Sequence, residues 1–207
     1  MKGQPHKSAP RAARAHELRI IGGQWKRTRL PVADRPGLRP TPDRVRETLF
    51  NWLASLAGAG GGALPGWRCL DVFAGTGALG FEAASRGAAE VLLCEQDAAL
   101  VAQMKAVREK LQAEAVRIER GDGAARLEAS APGHWDVVFL DPPFDQAALY
   151  ARCLAAAARA LRPGGVVYLE AAREWTAAEL APLGLVPLRH LRAGAVHAHL
   201  LHALEGA

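Results

Sequence analysis

From Trp67 to Glu170 short apolar runs alternate with helical stretches, and that alternation constrains the fold more than any other feature of the sequence. Strands are expected at residues 68–73, 89–95, 116–120, 135–140 and 166–170, with helices at 78–86, 98–112, 123–129 and 146–161 between them. Such a pattern specifies a mostly parallel sheet wrapped by helices on both faces. Two further strands, 185–191 and 195–204, are separated only by residues 192–194, too short a turn for a crossover, so they pair antiparallel. The expected fold is therefore α/β: a doubly wound sheet of seven strands, the last one antiparallel.

Upstream of this body the signals change. Residues 18–21 and 24–30 flank Gly22-Gly23 and predict a β-hairpin. Residues 31–42 form an irregular connector. Thr41 is expected to N-cap a helix with Pro42 at its first position, because Val45, Leu49, Trp52, Leu53 and Leu56 then recur at helical spacing. Gly58 to Gly62 ends that helix and is expected to form a flexible joint. Three regions follow: a disordered tail (1–17), a hairpin and helix extension (18–62), and a main domain (63–207).

With 207 residues, 50% of them apolar or aromatic, the chain can bury one good core and carry a small appendage. Cys69, Cys94 and Cys153 have neither C-x-x-C spacing nor an even number, which argues against a disulfide framework or a zinc site; no metal is expected. No apolar run reaches the roughly 18 residues of a membrane span, and residues 1–16 lack the apolar core of a signal peptide. A cytoplasmic protein is expected, and nothing demands more than a monomer. Residues 1–50 hold 12 Lys or Arg against 4 acids, +8, whereas residues 51–207 hold 14 against 17, −3. A basic arm on a near-neutral body suits a polyanionic partner, since neutralised phosphates release counterions.

The first chemical motif is Leu70-Asp-Val-Phe-Ala-Gly-Thr-Gly-Ala-Leu-Gly80, at the junction of the first strand and first helix of the body. Gly75 and Gly77 allow a tight turn and a close backbone approach to a ligand at a helix N-terminus, the hallmark of a Rossmann-like nucleotide site. The spacing also satisfies the dinucleotide fingerprint, with Glu95 placed 20 residues beyond Gly75 to grip a ribose, so a dehydrogenase must be weighed. Two details favour S-adenosylmethionine. Asp71 stands four residues before Gly75, where methyltransferases of this architecture commonly carry an acid that helps to orient the methionine portion, and Asp122 follows the third strand where a carboxylate can accept from the adenine amine. A plain turn residue explains Asp122 nearly as well. Phe73, Ala74 and Thr76 complete the expected cofactor loop.

The second motif, Asp141-Pro142-Pro143-Phe144, follows the apolar fourth strand. A turn with two prolines is stiff. The Asp141 carboxylate and Pro142 carbonyl can each accept a hydrogen from a planar amine while Phe144 stacks on the attached ring. Held this way, the nitrogen points at a methyl donor, so orientation carries the catalysis and no strong base is needed.

Together with Arg19-Ile-Ile-Gly-Gly23, Leu38-Arg-Pro-Thr41 and Arg44-Val-Arg-Glu-Thr-Leu-Phe-Asn-Trp52, these motifs make the chain resemble the bacterial family of 16S rRNA guanine-N2 methyltransferases, small-subunit methyltransferase D. The resemblance runs from about Leu18 to the C-terminal hairpin. It implies S-adenosylmethionine as cofactor and methylation of the N2 amine of one guanine in 16S rRNA, within an assembled or assembling 30S particle. It further implies that Asp141, Pro142, Pro143 and Phe144 hold an unstacked base, that Asp71, Gly75, Gly77, Glu95 and Asp122 hold the cofactor, and that Arg39, Thr41, Arg44 and Arg46 contact the RNA backbone or rim the active site.

His197, His199 and His202 invite a metal reading, but His197 and His199 share a strand face with no acid nearby in sequence, which favours a surface or RNA-facing role. Trp25 can stack on a base or pack on the domain. A DNA adenine-N6 or protein glutamine-N5 methyltransferase uses a similar Pro-Pro-aromatic turn; Asp141 argues against the second and the short chain against the first. A non-enzymatic ribosome-binding factor explains the basic arm alone.

Overall fold

The computed structural model describes residues 18–32, 41–142 and 147–204. Its centre is a seven-stranded sheet in the order β5-β4-β3-β6-β7-β9-β8, built from β3 (Arg68–Asp71), β4 (Glu90–Glu95), β5 (Val116–Arg120), β6 (Trp135–Leu140), β7 (Leu161–Ala171), β8 (Leu185–Ala193) and β9 (Val196–Ala203). Strands β3 to β7 are mutually parallel, and β9 runs antiparallel between β7 and β8. The expected α/β doubly wound sheet with an antiparallel last strand is thus the observed one. The chain leaves β3 towards one edge through β4 and β5, then returns to build the other half from β6, so the strand order reverses beside β3. Ligands bind at such reversals, beyond the carboxyl ends of the strands.

Strand alternation sorts the core into two faces. Cys69, Val91, Leu93, Val137, Phe139 and Tyr168 face α1 (Asp43–Ala57), α2 (Ala78–Ser85) and α3 (Ala98–Leu111). Leu70, Leu92, Val138, Leu140 and Val167 face α4 (Gly123–Glu128) and α5 (Ala147–Ala160). Helix α1 therefore belongs to the main core. It buries Val45, Leu49, Phe50 and Leu53, and the Phe50 ring lies 6.1 Å from that of Phe139.

Three local expectations are corrected. The hairpin is present but its strands shorten to β1 (Leu18–Arg19) and β2 (Arg29–Leu30): Ile20 and Arg27 still bond across it, while the backbone of residues 21–25 turns to the end of α2. Ile21 and Gly22 N–H donate to the Glu82 carboxylate at 2.7 and 2.8 Å, and Gln24 and Trp25 N–H donate to Ser85. Gly23 (φ 75°) approaches so closely that a Cβ there would lie 1.8 Å from the Ser85 carbonyl oxygen. Second, Thr41 does not cap α1: Pro42 is the N-cap and the Thr41 hydroxyl points elsewhere. Third, the glycine run is no loose joint, since Gly60–Gly62 makes a 3₁₀ turn whose Gly62 carbonyl accepts from Arg86 at 3.1 Å.

Glu82 is the hub of this packing. Fully buried, it accepts from Ile21, Gly22 and the Arg86 guanidinium (2.8 Å) and lies 3.8 Å from Arg46. The β1–β2 segment, α1 and α2 are tied through one carboxylate.

Candidate active site

The parallel strands deliver acids to a single edge of the sheet. Asp71 closes β3, Glu95 closes β4, Asp122 follows β5, Asp141 follows β6 and Glu170 is next to last in β7. The glycine loop connects β3 to α2: Val72 N–H donates to the Phe139 carbonyl, Ala74 N–H to Cys94, and Gly77 N–H to Ala74. Gly75 (φ 53°) and Gly77 (φ 78°) both adopt the left-handed conformation that a non-glycine residue resists, as the motif requires. Ala74 and Thr76 are buried within the turn and Phe73 is half-buried.

Asp71 is 3% exposed, and one of its oxygens accepts from Gly80 N–H at 3.3 Å. Burial pushes its carboxyl up to about 7, the Gly80 N–H opposing and the Glu95 and Glu170 charges reinforcing the rise. Glu95 is half-buried and accepts from Gly75 N–H and Asp97 N–H, each at 2.9 Å, so it braces the glycine loop. Asp122 is exposed and N-caps α4, accepting from Ala124 and Ala125.

Burial raises the Asp141 carboxyl well above the usual range, and the Glu170 and Asp71 charges add to it. The Pro142 carbonyl accepts from the Tyr150 hydroxyl at 3.4 Å, and the Tyr150 ring stacks on Trp175 at 5.9 Å. Pro143 and Phe144 lie outside the described residues, as does Arg39.

Sequence reasoning passed over Glu170. It is 3% exposed, and its Oε1 accepts from the Thr41 hydroxyl at 2.6 Å and the Tyr168 hydroxyl at 2.8 Å. Burial raises its carboxyl too, the two hydroxyls working against the rise. The available signal was positional: Glu170 ends the predicted 166–170 strand, where ligand-facing acids collect. Tyr150 and Trp175 carried no signal, since their meeting depends on how α5 packs.

Of the expected RNA contacts, Arg44 is exposed on the first turn of α1 and Thr41 is buried against Glu170. Arg46 is a correction. Its side chain is fully buried, bonding to the Thr41 carbonyl at 3.2 Å and Asp43 at 2.6 Å, and so offers nothing to a phosphate. Its place is structural, between α1 and Glu82.

The C-terminal histidines do have an acid beside them. His190 Nε2 lies 3.0 Å from His197 Nδ1, and its Nδ1 lies 3.7 Å from Glu174, while His199 stacks on His190 at 4.7 Å. The sequence hid this because Glu174 lies in the segment after β7, brought alongside only by the fold. A groove of ≈ 470 Å³ between β2 and α3 has none of the strand-end acids in its lining. Among the described residues no helix is long and apolar enough to cross a membrane.

Residues 18–202 match the family model described as "Conserved hypothetical protein 95". Ribosomal RNA small subunit methyltransferase D of Escherichia coli K12 is 46% identical over 135 residues, 65% of this chain and 64% of that protein. The match thus spans just under two thirds of that relative's length. The protein of the same name from Haemophilus influenzae is 37% identical over 84% of this chain and 92% of its own. A solved Escherichia coli structure, yhhF, named as a candidate methyltransferase, superposes with a TM-score of 0.74 at 37% identity, covering 91% of this chain and 98% of that one. By a family model that runs over residues 18–202, and so over both the glycine loop and the strand-end acids, this chain belongs to the conserved hypothetical protein 95 family.

Proposed function

We propose that this chain methylates the exocyclic N2 amine of a guanine in 16S rRNA of the small ribosomal subunit, using S-adenosylmethionine. The observation that carries the reading is the acidic edge of the sheet: Asp71, Asp141 and Glu170, all with carboxyls raised by burial, meet beside the glycine loop. A pyrophosphate would bring more negative charge to that edge, which disfavours a dinucleotide. A cationic donor relieves it, and S-adenosylmethionine carries both an ammonium and a sulfonium.

The residues present fit that group. Gly75 and Gly77 would open the backbone to it, with Phe73, Ala74 and Thr76 forming the turn; Asp71 would hold the methionine end, Glu95 the ribose and Asp122 the adenine. When bound, the cofactor supplies an electrophilic methyl. Asp141 and the Pro142 carbonyl accept hydrogen bonds from the two N2 hydrogens, with Phe144 stacked on the base and Pro143 stiffening the turn. So held, the N2 nitrogen would take the methyl, and the proton it sheds would leave through Asp141, which already accepts its hydrogen bond, to solvent. Arg44, with Arg39 and the basic residues of 18–62, steers the RNA, and Thr41 lines the rim. The relatives named ribosomal RNA small subunit methyltransferase D support rRNA as the substrate. We place the reaction in the cytoplasm, on a 30S particle or assembly intermediate, with the protein as a monomer.

The test is to incubate the protein and tritiated S-adenosylmethionine with 30S particles, and separately with naked 16S rRNA, from a strain lacking the enzyme, then to identify the labelled nucleoside. Label in N2-methylguanosine is expected. Label in an adenosine, or in no RNA despite cofactor binding, would overturn the reading.

A further inference from the structure

Glu170 is the acid at the sheet edge that the proposed methyl transfer leaves without a task. The strand register places it. Leu140 of β6 pairs with Leu169 of β7, so the next residues on each strand, Asp141 and Glu170, are neighbours at the carboxyl ends. Asp71 pairs with Phe139, and Phe139 with Tyr168; two residues further on, Asp141 and Glu170 fall on the same side of the pleat as Asp71. Glu170 thus stands beside the group that holds the amine and on the face where the donor binds.

Its carboxylate is also fixed. Two hydroxyls, from Thr41 just ahead of α1 and from Tyr168 on its own strand, converge on Oε1 at 2.6 and 2.8 Å. Hydroxyl donors to a carboxylate oxygen favour its ionised form and stop its rotation. Among the described residues both bonds fall on Oε1, so this anchoring does not use Oε2. The 2.6 Å bond also joins the N-terminal extension to the catalytic edge across 129 residues of sequence.

The bases that carry an exocyclic amine differ in what lies next to it. Guanine places the N1–H donor beside N2, whereas adenine and cytosine place a ring acceptor, N1 or N3, beside the amine. An ionised carboxylate next to the amine holder accepts from the first and repels the lone pair of the other two. We propose that Glu170, held by Thr41 and Tyr168, accepts the N1–H of the target base beside Asp141 and so selects guanine over adenine and cytosine. Enzymes that extract a base from its stack read its Watson–Crick edge in this way. This role rests on the guanine-N2 reading above.

The discriminating substrate is rRNA in which the nucleotide labelled by the unmodified enzyme is replaced, by ligation, with 2,6-diaminopurine. That base keeps the N2 amine but turns N1 into an acceptor. The unmodified enzyme should prefer guanine by a factor on the order of 100, the upper end of what a buried group that loses its hydrogen-bond partner costs. At saturating S-adenosylmethionine, Glu170→Gln should lower kcat/KM for guanine-bearing RNA by a similar factor and largely erase the preference, which loss of cofactor affinity alone would leave in place. Thr41→Val, which frees the same carboxylate without removing it, should reduce both rate and preference by a smaller factor, and Thr41→Ser should recover most of that loss. A Glu170→Gln enzyme that keeps its rate, or loses rate while keeping the preference, overturns the assignment and leaves the guanine-N2 reading intact. If Glu170→Gln does not fold, a Thr41→Val enzyme with unchanged preference overturns it equally. Label on an adenosine, or on no RNA, with the unmodified enzyme overturns both.

Discussion

Asp71→Asn should make the cofactor-free protein less sensitive to alkaline pH, and the effect can be sized from the structure. Burial holds the Asp71 carboxyl, 3% exposed, at about 7 in the folded protein against an ordinary value of 3.8. Between those values the folded state binds a proton that the unfolded state has lost, so unfolding free energy falls as pH rises. The favourable contribution is complete below the unfolded value and is gone once pH has risen through about 7. At 1.36 kcal/mol per pH unit of difference the whole effect is roughly 4 kcal/mol, more than half of it lost between about pH 5 and about pH 8. Asparagine keeps an oxygen for the Gly80 N–H and carries no charge at any of these values. Urea unfolding of both proteins at several pH values, without cofactor, gives the two slopes. Asp141 and Glu170 shift in the same direction and give the variant a residual slope, so the difference between the proteins is the quantity read. The unmodified protein should lose about 2 kcal/mol more than the variant over that interval. Parallel profiles would refute the argument that burial holds Asp71 protonated, as would a variant that is less stable near pH 8. The same substitution should weaken S-adenosylmethionine binding, measurable by calorimetry, because the proposed donor is cationic.

Asp141→Ala should reduce turnover by on the order of 10³-fold with cofactor affinity nearly intact, because it removes an acceptor that orients the amine and leaves the glycine loop untouched; lost cofactor binding with turnover retained at saturation would contradict this. Glu82→Leu strips the partner from the buried Arg86 and Arg46 and from two backbone N–H groups, and should cost roughly 3–5 kcal/mol in a denaturant titration. Arg44→Ala should lower rRNA affinity and reduce the slope of log affinity against log salt by about 1, whereas an unchanged slope would remove Arg44 from the phosphate-contacting set.

The sheet was legible because a buried parallel strand is a local apolar run bounded by turn residues: 116–120 and 135–140 were placed to the residue. The glycine loop and Asp141-Pro142 were legible for a related reason, since tight turns demand particular residue types at particular positions. The hairpin was overestimated because its polar groups are satisfied by Glu82 and Ser85, some 60 residues away in sequence. Thr41 looks like a helix cap because Ser and Thr usually are; here Glu170 competes for its hydroxyl and wins. Arg46 reads as a surface cation, and only the burial of α1 against the sheet turns it inward.

By itself the sequence determined the layered α/β architecture, the order of its elements and the two turns that carry the proposed chemistry, all of which follow from short-range patterns of side-chain type and backbone freedom. Tertiary structure alone decided that Thr41 and Tyr168 anchor Glu170 beside Asp141, that Glu82 ties α1 and the N-terminal strands to α2, and that Glu174 meets His190. Those pairings join residues far apart in the chain. The energies that select them, desolvation of charge and satisfaction of buried polar groups, exist only once the sheet has closed around them.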